Sequence, residues 1–322
     1  MPSFTFYGIT EDRPAARWQA LFDAVWPAYR AWYLRDGDAA RPDLASAESM
    51  LRRHMPELVP TWQRLVDLAG GDETAARMLT LWNPPRFLPG CAQVAIPGPD
   101  PVLVRNYDYH PDLCERVIYS SCFTGRRVIG TGDCLWGLTD GMNDDGLVVS
   151  LSFGGRRGSG PGFAVSLVVR YLLEVASSTE QVREILSRMP VAMAYNLTVV
   201  DASGTVLTAF VGPDRRPEFS DSPIATNHRG EVPDSIEHAR QFASVPRRER
   251  LAEHRRIDPF VAGLKPGARI LELGCGGGQD QGRDPPPGQR RYHHPGAEPG
   301  QQQPAGPCAD PGETGQRWMG PT

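Results

Sequence analysis

The sequence lacks an excess of charge of either sign. Thirty-four Lys and Arg stand against thirty-eight Asp and Glu, a formal net charge of −4. Neutralising a phosphate backbone needs a surplus of cations, so this balance argues against a nucleic-acid-binding protein. Long apolar runs are missing too. Pro, Gly or Arg interrupts every hydrophobic stretch before it reaches the ~20 residues that a membrane-spanning helix needs. The first residues, MPSFTFYGITEDRPAARW, hold no basic patch followed by an apolar core, so no secretory signal is expected and a cytoplasmic location is the default. Cysteine is sparse and irregular. Cys91, Cys114, Cys122, Cys134, Cys275 and Cys308 include no C-x-x-C pair, which argues against a zinc site or a disulfide framework. Residues 281–322 have no Val, Ile, Leu or Phe but nine Pro and eight Gly. A segment of that composition cannot offset the entropy of ordering itself and is expected to be a disordered tail.

The rest of the chain divides by pattern. Residues 1–90 read as an all-helical leader. Trp18, Leu21, Phe22, Val25, Trp26, Tyr29 and Trp32 recur at three- and four-residue steps, with Pro27 predicting a kink or break. Periodic segments at 46–55, 60–68 and 74–82 follow, punctuated by Asp43, Pro56 and Gly70-Gly71. From Cys91 the pattern turns to strands. CAQVAI and VLVRNYDY flank a Pro/Gly turn and predict a hairpin; further strands are expected at 117–121, 128–130, 147–153, 197–201 and 206–211. Two consecutive helices are expected at 161–177 and 179–188. Strands, two helices, then more strands fit an α+β protein with helices packed on mostly antiparallel sheet.

The hairpin makes Cys91 notable. An isolated cysteine at the start of a strand is usually a core residue. A turn centred on Pro99 and Asp100 sets Asp108 opposite Cys91, and three residues earlier Arg105 falls on the other face of the strand. A thiol beside a carboxylate and a guanidinium is a plausible nucleophile, since cations lower a thiol's pKa. Asn196 in mid-strand is β-disfavoured and asks for a reason. Asn143 reads equally well as a turn residue before Gly146, whereas plain surface charge is the lesser alternative for Arg105 and Asp108.

Gly90-Cys91, Arg105-Asn106-Tyr107-Asp108, Gly141-Met142-Asn143-Asp144-Asp145-Gly146-Leu147 and Tyr195-Asn196-Leu197-Thr198 occur in an order and spacing that resembles the N-terminal-nucleophile hydrolases. Among these the sequence is most similar to the acyl-coenzyme A:6-aminopenicillanic acid acyltransferase family, with the choloylglycine and penicillin V amidases as more distant relatives. Each motif alone is weak; four in order are specific. The resemblance implies a four-layer αββα sandwich over residues 91–258. It also implies autocatalytic cleavage between Gly90 and Cys91, giving two subunits of one precursor. It assigns Cys91 as nucleophile, Asp108 as the residue orienting its amine, Arg105 as a charge near the thiolate, and Asn143 and Asn196 as oxyanion donors. Thr226-Asn227-His228 resembles a family turn. Ser244-x-x-Arg247 resembles a family helix whose arginine is a further site residue, with Arg248 as its rival and His228 as a supporting residue. The implied substrate is a small linear amide or an acyl thioester, with acyl-coenzyme A as a co-substrate and no cofactor.

Residues 259–280 contain ARILELGCGGG, which resembles the first strand and glycine turn of S-adenosylmethionine-dependent methyltransferases. The alternating strands and helices that such a domain needs do not follow. Since the family's sheet normally continues at this point, the break predicts an unpaired sheet edge. Two rival readings therefore stand beside the enzyme: an inactive fusion or truncation product, and a remnant that binds S-adenosylmethionine.

Overall fold

A computed structural model describes residues 5–86, 90–96, 101–108, 114–230, 233–253 and 270–272. The tail 281–322 and the glycine run after residue 272 lie outside them. In chain order the elements are β1 (Tyr7–Thr10), α1 (Ala16–Tyr33), α2 (Leu44–His54), α3 (Val59–Leu68), α4 (Glu73–Leu79), β2 (Gly90–Ile96) and β3 (Val102–Asp108). Then come β4 (Val117–Ser121), β5 (Val128–Asp133), β6 (Gly137–Asn143), β7 (Val148–Phe153), α5 (Val165–Val175) and α6 (Thr179–Leu186). The chain closes with β8 (Tyr195–Val200), β9 (Val206–Val211), β10 (Glu218–Ser220), β11 (Ile224–Ala225), α7 (Ile236–Gln241), α8 (Ser244–Glu253) and β12 (Ile270–Glu272).

Two sheets stack. One has the order β1-β4-β5-β6-β7-β8-β9-β10 and the other β11-β2-β3-β12. Ala95 and Leu103 of the small sheet meet Val148 and Val200 of the large one. On its outer face the small sheet presents Val94, Val102 and Val104 to Leu251 of α8. The outer face of the large sheet packs on α5 and the leader in the main core. Helix, sheet, sheet, helix is the expected four-layer αββα order. Caps explain several helix starts: Asp43, Asp72 and Ser178 each accept a backbone N–H in the first turn. No described helix is long and apolar enough to cross a membrane.

Three expectations need correction. The leader is not all-helical, because β1 pairs in parallel with β4 and so joins the large sheet. Pro27 does not break α1, which runs through it; Trp18, Leu21, Phe22 and Val25 bury the face that holds the helix down. The edge of β3 is not left open. Ile270, Leu271 and Glu272, from the segment that resembles a methyltransferase strand, pair in parallel with Leu103, Val104 and Arg105. Among the described cysteines, Cys91, Cys114 and Cys134 are not disulfide-bonded, and Cys122 takes part in a disulfide.

The leader is clasped to the core by buried polar groups. Trp18 Nε1 donates to Leu135 O at 2.9 Å and Trp136 Nε1 to Leu79 O at 3.0 Å. The Tyr29 hydroxyl donates to Glu115, whose Oε1 also accepts Leu135 N–H at 2.7 Å. Burial, then the charge of Asp133, raises the Glu115 carboxyl to about 7; burial raises Asp133 to about 6. Carboxyls raised on folding contribute stability fully below their ordinary range near 4, and lose it as pH climbs through their folded values. The urea midpoint should therefore fall between pH 5 and pH 8. Glu115→Gln, which cannot ionise, should flatten that fall when unfolding is followed by tryptophan fluorescence.

Candidate active site

The hairpin that carries Cys91 is built as expected, but one residue out of register. Cys91 pairs with Tyr107, Gln93 with Arg105, and Gly90 with Asp108. A slip of one residue exchanges the faces of a strand. Arg105 therefore shares the inner face with Cys91, while Asp108 turns toward α7 and α8. Arg105 Nη2 lies 3.5 Å from Cys91 Sγ, and the guanidinium stacks over the Tyr107 ring at 4.2 Å. Its Nη1 pairs with Asp140 of β6, which spacing did not single out; Arg105 and Asp140 side chains are 1% and 4% exposed. Burial lowers the Arg105 pKa, but Cys91 and Asp140 outweigh it and the net direction is up, so the cation is fixed. Burial pushes the Cys91 thiol up against the pull of Arg105.

Why Asp140 stands there follows from strand parity. Asp140 pairs with Ser150, and Ser150 and Ser152 alternate with Leu151 and Phe153 along β7. The serines face the small sheet: Ser150 Oγ donates to Gln93 Oε1 at 2.7 Å and Ser152 Oγ to Thr226 O at 3.1 Å. Gln93 Nε2 in turn donates to Thr198 Oγ1 of β8 at 2.9 Å. A polar stripe thus lines the inter-sheet space at this end, opposite the apolar contacts of Ala95 and Leu103.

The same parity turns Asn143 away. Three residues past Asp140, it faces α5, where its Nδ2 donates to Leu173 O at 2.9 Å and Ala176 O at 2.8 Å. Its backbone N–H bonds Leu147 O. Asn143 closes a turn and anchors the end of α5; the structure does not bring it to Cys91. Asn196 lies on the inner face, yet both its amide hydrogens are spent, on Thr226 O at 2.7 Å and His228 O at 3.1 Å. It shapes the Thr226-Asn227-His228 turn.

Asn227 is the contact that sequence reasoning passed over, although its motif was visible. Its Oδ1 accepts the backbone N–H of Cys91 at 3.2 Å, and its Nδ2 donates to Phe153 O at 3.1 Å. The turn presses on Gly155, at φ +78°, where a Cβ would collide with Asn227 O; only glycine fits that approach. Arg247 of α8 clamps the arrangement, donating to Asp108 Oδ2 and to Asn227 Oδ1. Asn106 Nδ2 donates to Asp108 Oδ1 at 2.7 Å. Burial raises the Asp108 carboxyl against the pull of Arg247 and Asn106. His228 is held by Ser244 Oγ at 2.6 Å, and burial, then the charges of Arg248 and Arg247, keep its pKa low. A neutral, buried His228 is a brace for the turn. Gly90 is confined as well, since a Cβ there would meet Phe242 at 2.9 Å. Among the described residues no group of His, Cys, Asp and Glu could hold a metal ion.

The arrangement is a buried thiol with one fixed cation, whose own backbone nitrogen is oriented by an amide that a second arginine clamps. The model of the acyl-coenzyme A:6-aminopenicillanic acid acyl-transferase family matches residues 97–257, half of the chain. The chain belongs to this family. The family match includes Arg105, Asp108, Asn227 and Arg247 and begins just after the strand that bears Cys91. A mutant of conjugated bile acid hydrolase from Clostridium perfringens is similar at 16% identity over 44% of this chain and 54% of that one, with a TM-score of 0.33. Penicillin V acylase from Agrobacterium tumefaciens is similar at 17% identity over 54% of this chain and 50% of that one, with a TM-score of 0.27. The chain thus spans about half the length of these solved structures. No curated protein compared with the chain matches it. None of these comparisons supports the S-adenosylmethionine reading of residues 259–280.

Proposed function

We propose that this protein is a self-processing cysteine amidohydrolase or acyltransferase that cleaves or forms a linear amide bond through an acyl-enzyme on Cys91. One observation carries the reading: Cys91 has its sulfur at the Arg105 guanidinium and its backbone nitrogen on Asn227 Oδ1. An ordinary structural cysteine has no need of either, whereas a nucleophile that uses its own amine as base needs both groups placed.

In processing, Cys91 Sγ adds to the Gly90 carbonyl carbon. The Gly90–Cys91 C–N bond breaks, the proton goes to the departing nitrogen, and a thioester forms. Water then cleaves the thioester to a Gly90 carboxylate and a free thiol. The new α-amine, with a reference pKa near ~7.7–8.0, takes the thiol proton in each turnover. Asp108 and Arg247 hold Asn227, and Asn227 holds the amine. The thiolate attacks an amide or thioester carbonyl, the leaving amine or thiol departs with the proton, and water or a second amine resolves the acyl-enzyme. Arg105 offsets charge on the sulfur. Asn227, whose Nδ2 has a second hydrogen, is better placed than Asn143 or Asn196 to donate to the oxyanion.

The test is the protein's own maturation. A denaturing gel of the 35.3 kDa chain should show pieces of about 10 and 25 kDa, and N-terminal sequencing of the larger piece should begin at Cys91. An uncut chain whose Cys91 also resists an electrophilic acyl probe would overturn the reading and leave an inactive product. Within this mechanism Asn227→Ala should slow processing and turnover by roughly 10²–10³-fold. Asn227→Asp, which keeps an acceptor for Cys91 N–H and a partner for Arg247 but has no N–H to give the oxyanion, should lose at least as much turnover while staying nearer wild type in melting temperature. Quenched-flow measurement of acylation would rank the two.

A further inference from the structure

An aromatic ring stands against Gly90. A Cβ on Gly90 would lie 2.9 Å from Phe242 Cδ1, 3.2 Å from Phe242 Cε1 and 3.4 Å from Asp108 Cβ. Carbon atoms pack at ~3.5–4.0 Å, so the first of these is a collision. Phe242 caps the C-terminus of α7, and its ring is held in place. It stacks on the His238 ring, with centroids 6.5 Å apart and 13° between the planes, and meets Phe153 edge-on at 6.2 Å. His238 is fixed in turn: its Nε2 accepts from Arg157 Nε at 3.0 Å, and its Nδ1 lies 3.1 Å from Ser235 Oγ. The next residue, Ala243, has φ +44°. A residue with a Cβ keeps that left-handed conformation only where its surroundings hold it. Phe242 on one side and Ser244, bonded to Thr226 and His228, on the other do so here.

The contacts that hold this wall beside Cys91 do not run through Gly90. The Phe242 ring packs on Phe153, Phe153 O accepts Asn227 Nδ2 at 3.1 Å, and Asn227 Oδ1 accepts Cys91 N–H at 3.2 Å. All four residues belong to the piece that begins at Cys91, so the wall outlasts processing. In maturation the first acyl group on Cys91 Sγ is Gly90 itself, with its Cα next to the thioester carbonyl. A substrate repeats that step. The Sγ–carbonyl bond forms, the amine or thiol departs with the thiol proton, and the α-carbon of the acyl group takes the place of Gly90 Cα. We propose that Phe242 selects the acyl group by admitting only an α-carbon with no substituent on its Phe242 side, as in a glycyl or straight-chain acyl group. A branch of L configuration at that carbon meets the ring and is rejected. The inference rests on the acyl-enzyme reading above and adds the shape of the acyl group that it takes.

The processed wild-type protein, Phe242→Val and Phe242→Tyr would each be treated with the N-acetylglycyl and N-acetyl-L-alanyl thioesters of N-acetylcysteamine. Mass spectrometry would follow the adduct on Cys91. Each rate is divided by that of the same thioester with free cysteine, which removes the esters' own difference in reactivity. The alanyl methyl falls where a Cβ on Gly90 would, so wild type should prefer the glycyl ester at least about tenfold, as one methyl group can decide in a shaped pocket. Phe242→Val has no atom at the Cδ1 and Cε1 positions and should bring the ratio close to one. Phe242→Tyr keeps both atoms and should keep the preference, with a melting temperature near that of wild type. Equal corrected rates with wild type, a preference that survives in folded Phe242→Val, or one that is lost in Phe242→Tyr would overturn the proposal and leave the acyl-enzyme reading standing. If neither thioester acylates Cys91 in wild type, the acyl-enzyme reading fails, and the selectivity with it.

Discussion

Cys91→Ala is expected to give a single uncut 35.3 kDa species with turnover reduced on the order of 10⁴–10⁶-fold. The effect is large because one sulfur serves both reactions: it attacks Gly90 in maturation and the acyl carbonyl in turnover. The substitution is also nearly silent structurally. Cys91 is fully buried beside Tyr107 and Cys114, and alanine occupies the same strand position with its backbone N–H still available to Asn227. Folding and activity should therefore separate cleanly, with an unchanged melting temperature and no processed band. Cys91→Ser sharpens the result. A hydroxyl is a far weaker nucleophile without a strong base, so slow partial processing with little turnover is expected, followed by mass spectrometry over days. Normal turnover by Cys91→Ala would show that the thiol is not the nucleophile.

Asp140→Ala should have the next largest effect, on stability first and chemistry second. Arg105 and Asp140 are both within the inter-sheet space, and removing one member of such a pair leaves an uncompensated buried charge at a cost of ~3–5 kcal/mol. Urea denaturation would read that loss directly. Asp140→Asn, which keeps an acceptor oxygen, should recover part of it. Chemistry separates a positioning role from a merely structural one. Without Asp140 the guanidinium is no longer drawn toward β6, its 3.5 Å approach to Cys91 Sγ relaxes, and the pH at which acylation reaches half its maximum should move up. If both variants lose stability with no change in that profile, Asp140 is structural only.

The pair also shows what limits inference from sequence. Strands β2 and β3 are apolar on both faces: Val94, Val102 and Val104 pack toward α8, and Ala95 and Leu103 toward the large sheet. Where both faces are buried, no in–out alternation fixes the register. A turn centred half a residue off then puts Asp108 opposite Cys91 and turns Arg105 away, the reverse of what the structure has. The observed pairing of Ile96 with Val102 leaves five residues between the strands. The side-chain amides of Asn143 and Asn196 give their hydrogens to other carbonyls for a related reason. A motif shows that a residue type is present, but not which carbonyls have already claimed its hydrogens.

By itself the sequence determined the helical character of most of the leader, the hairpin with Cys91 at its start, the polar residues Arg105 and Asp108 on the returning strand, and the turn and helix that supply Asn227 and Arg247. These are local patterns, set by hydrophobic period, turn residues and motif order. Only the tertiary structure decided which strand face meets the thiol, that β6 supplies Asp140 as partner to Arg105, that Asn227 rather than Asn196 touches Cys91, and that residues 270–272 complete the small sheet. Those facts depend on stacking two sheets between two helical layers. Contacts between layers join residues far apart in the chain, and no spacing along it encodes them.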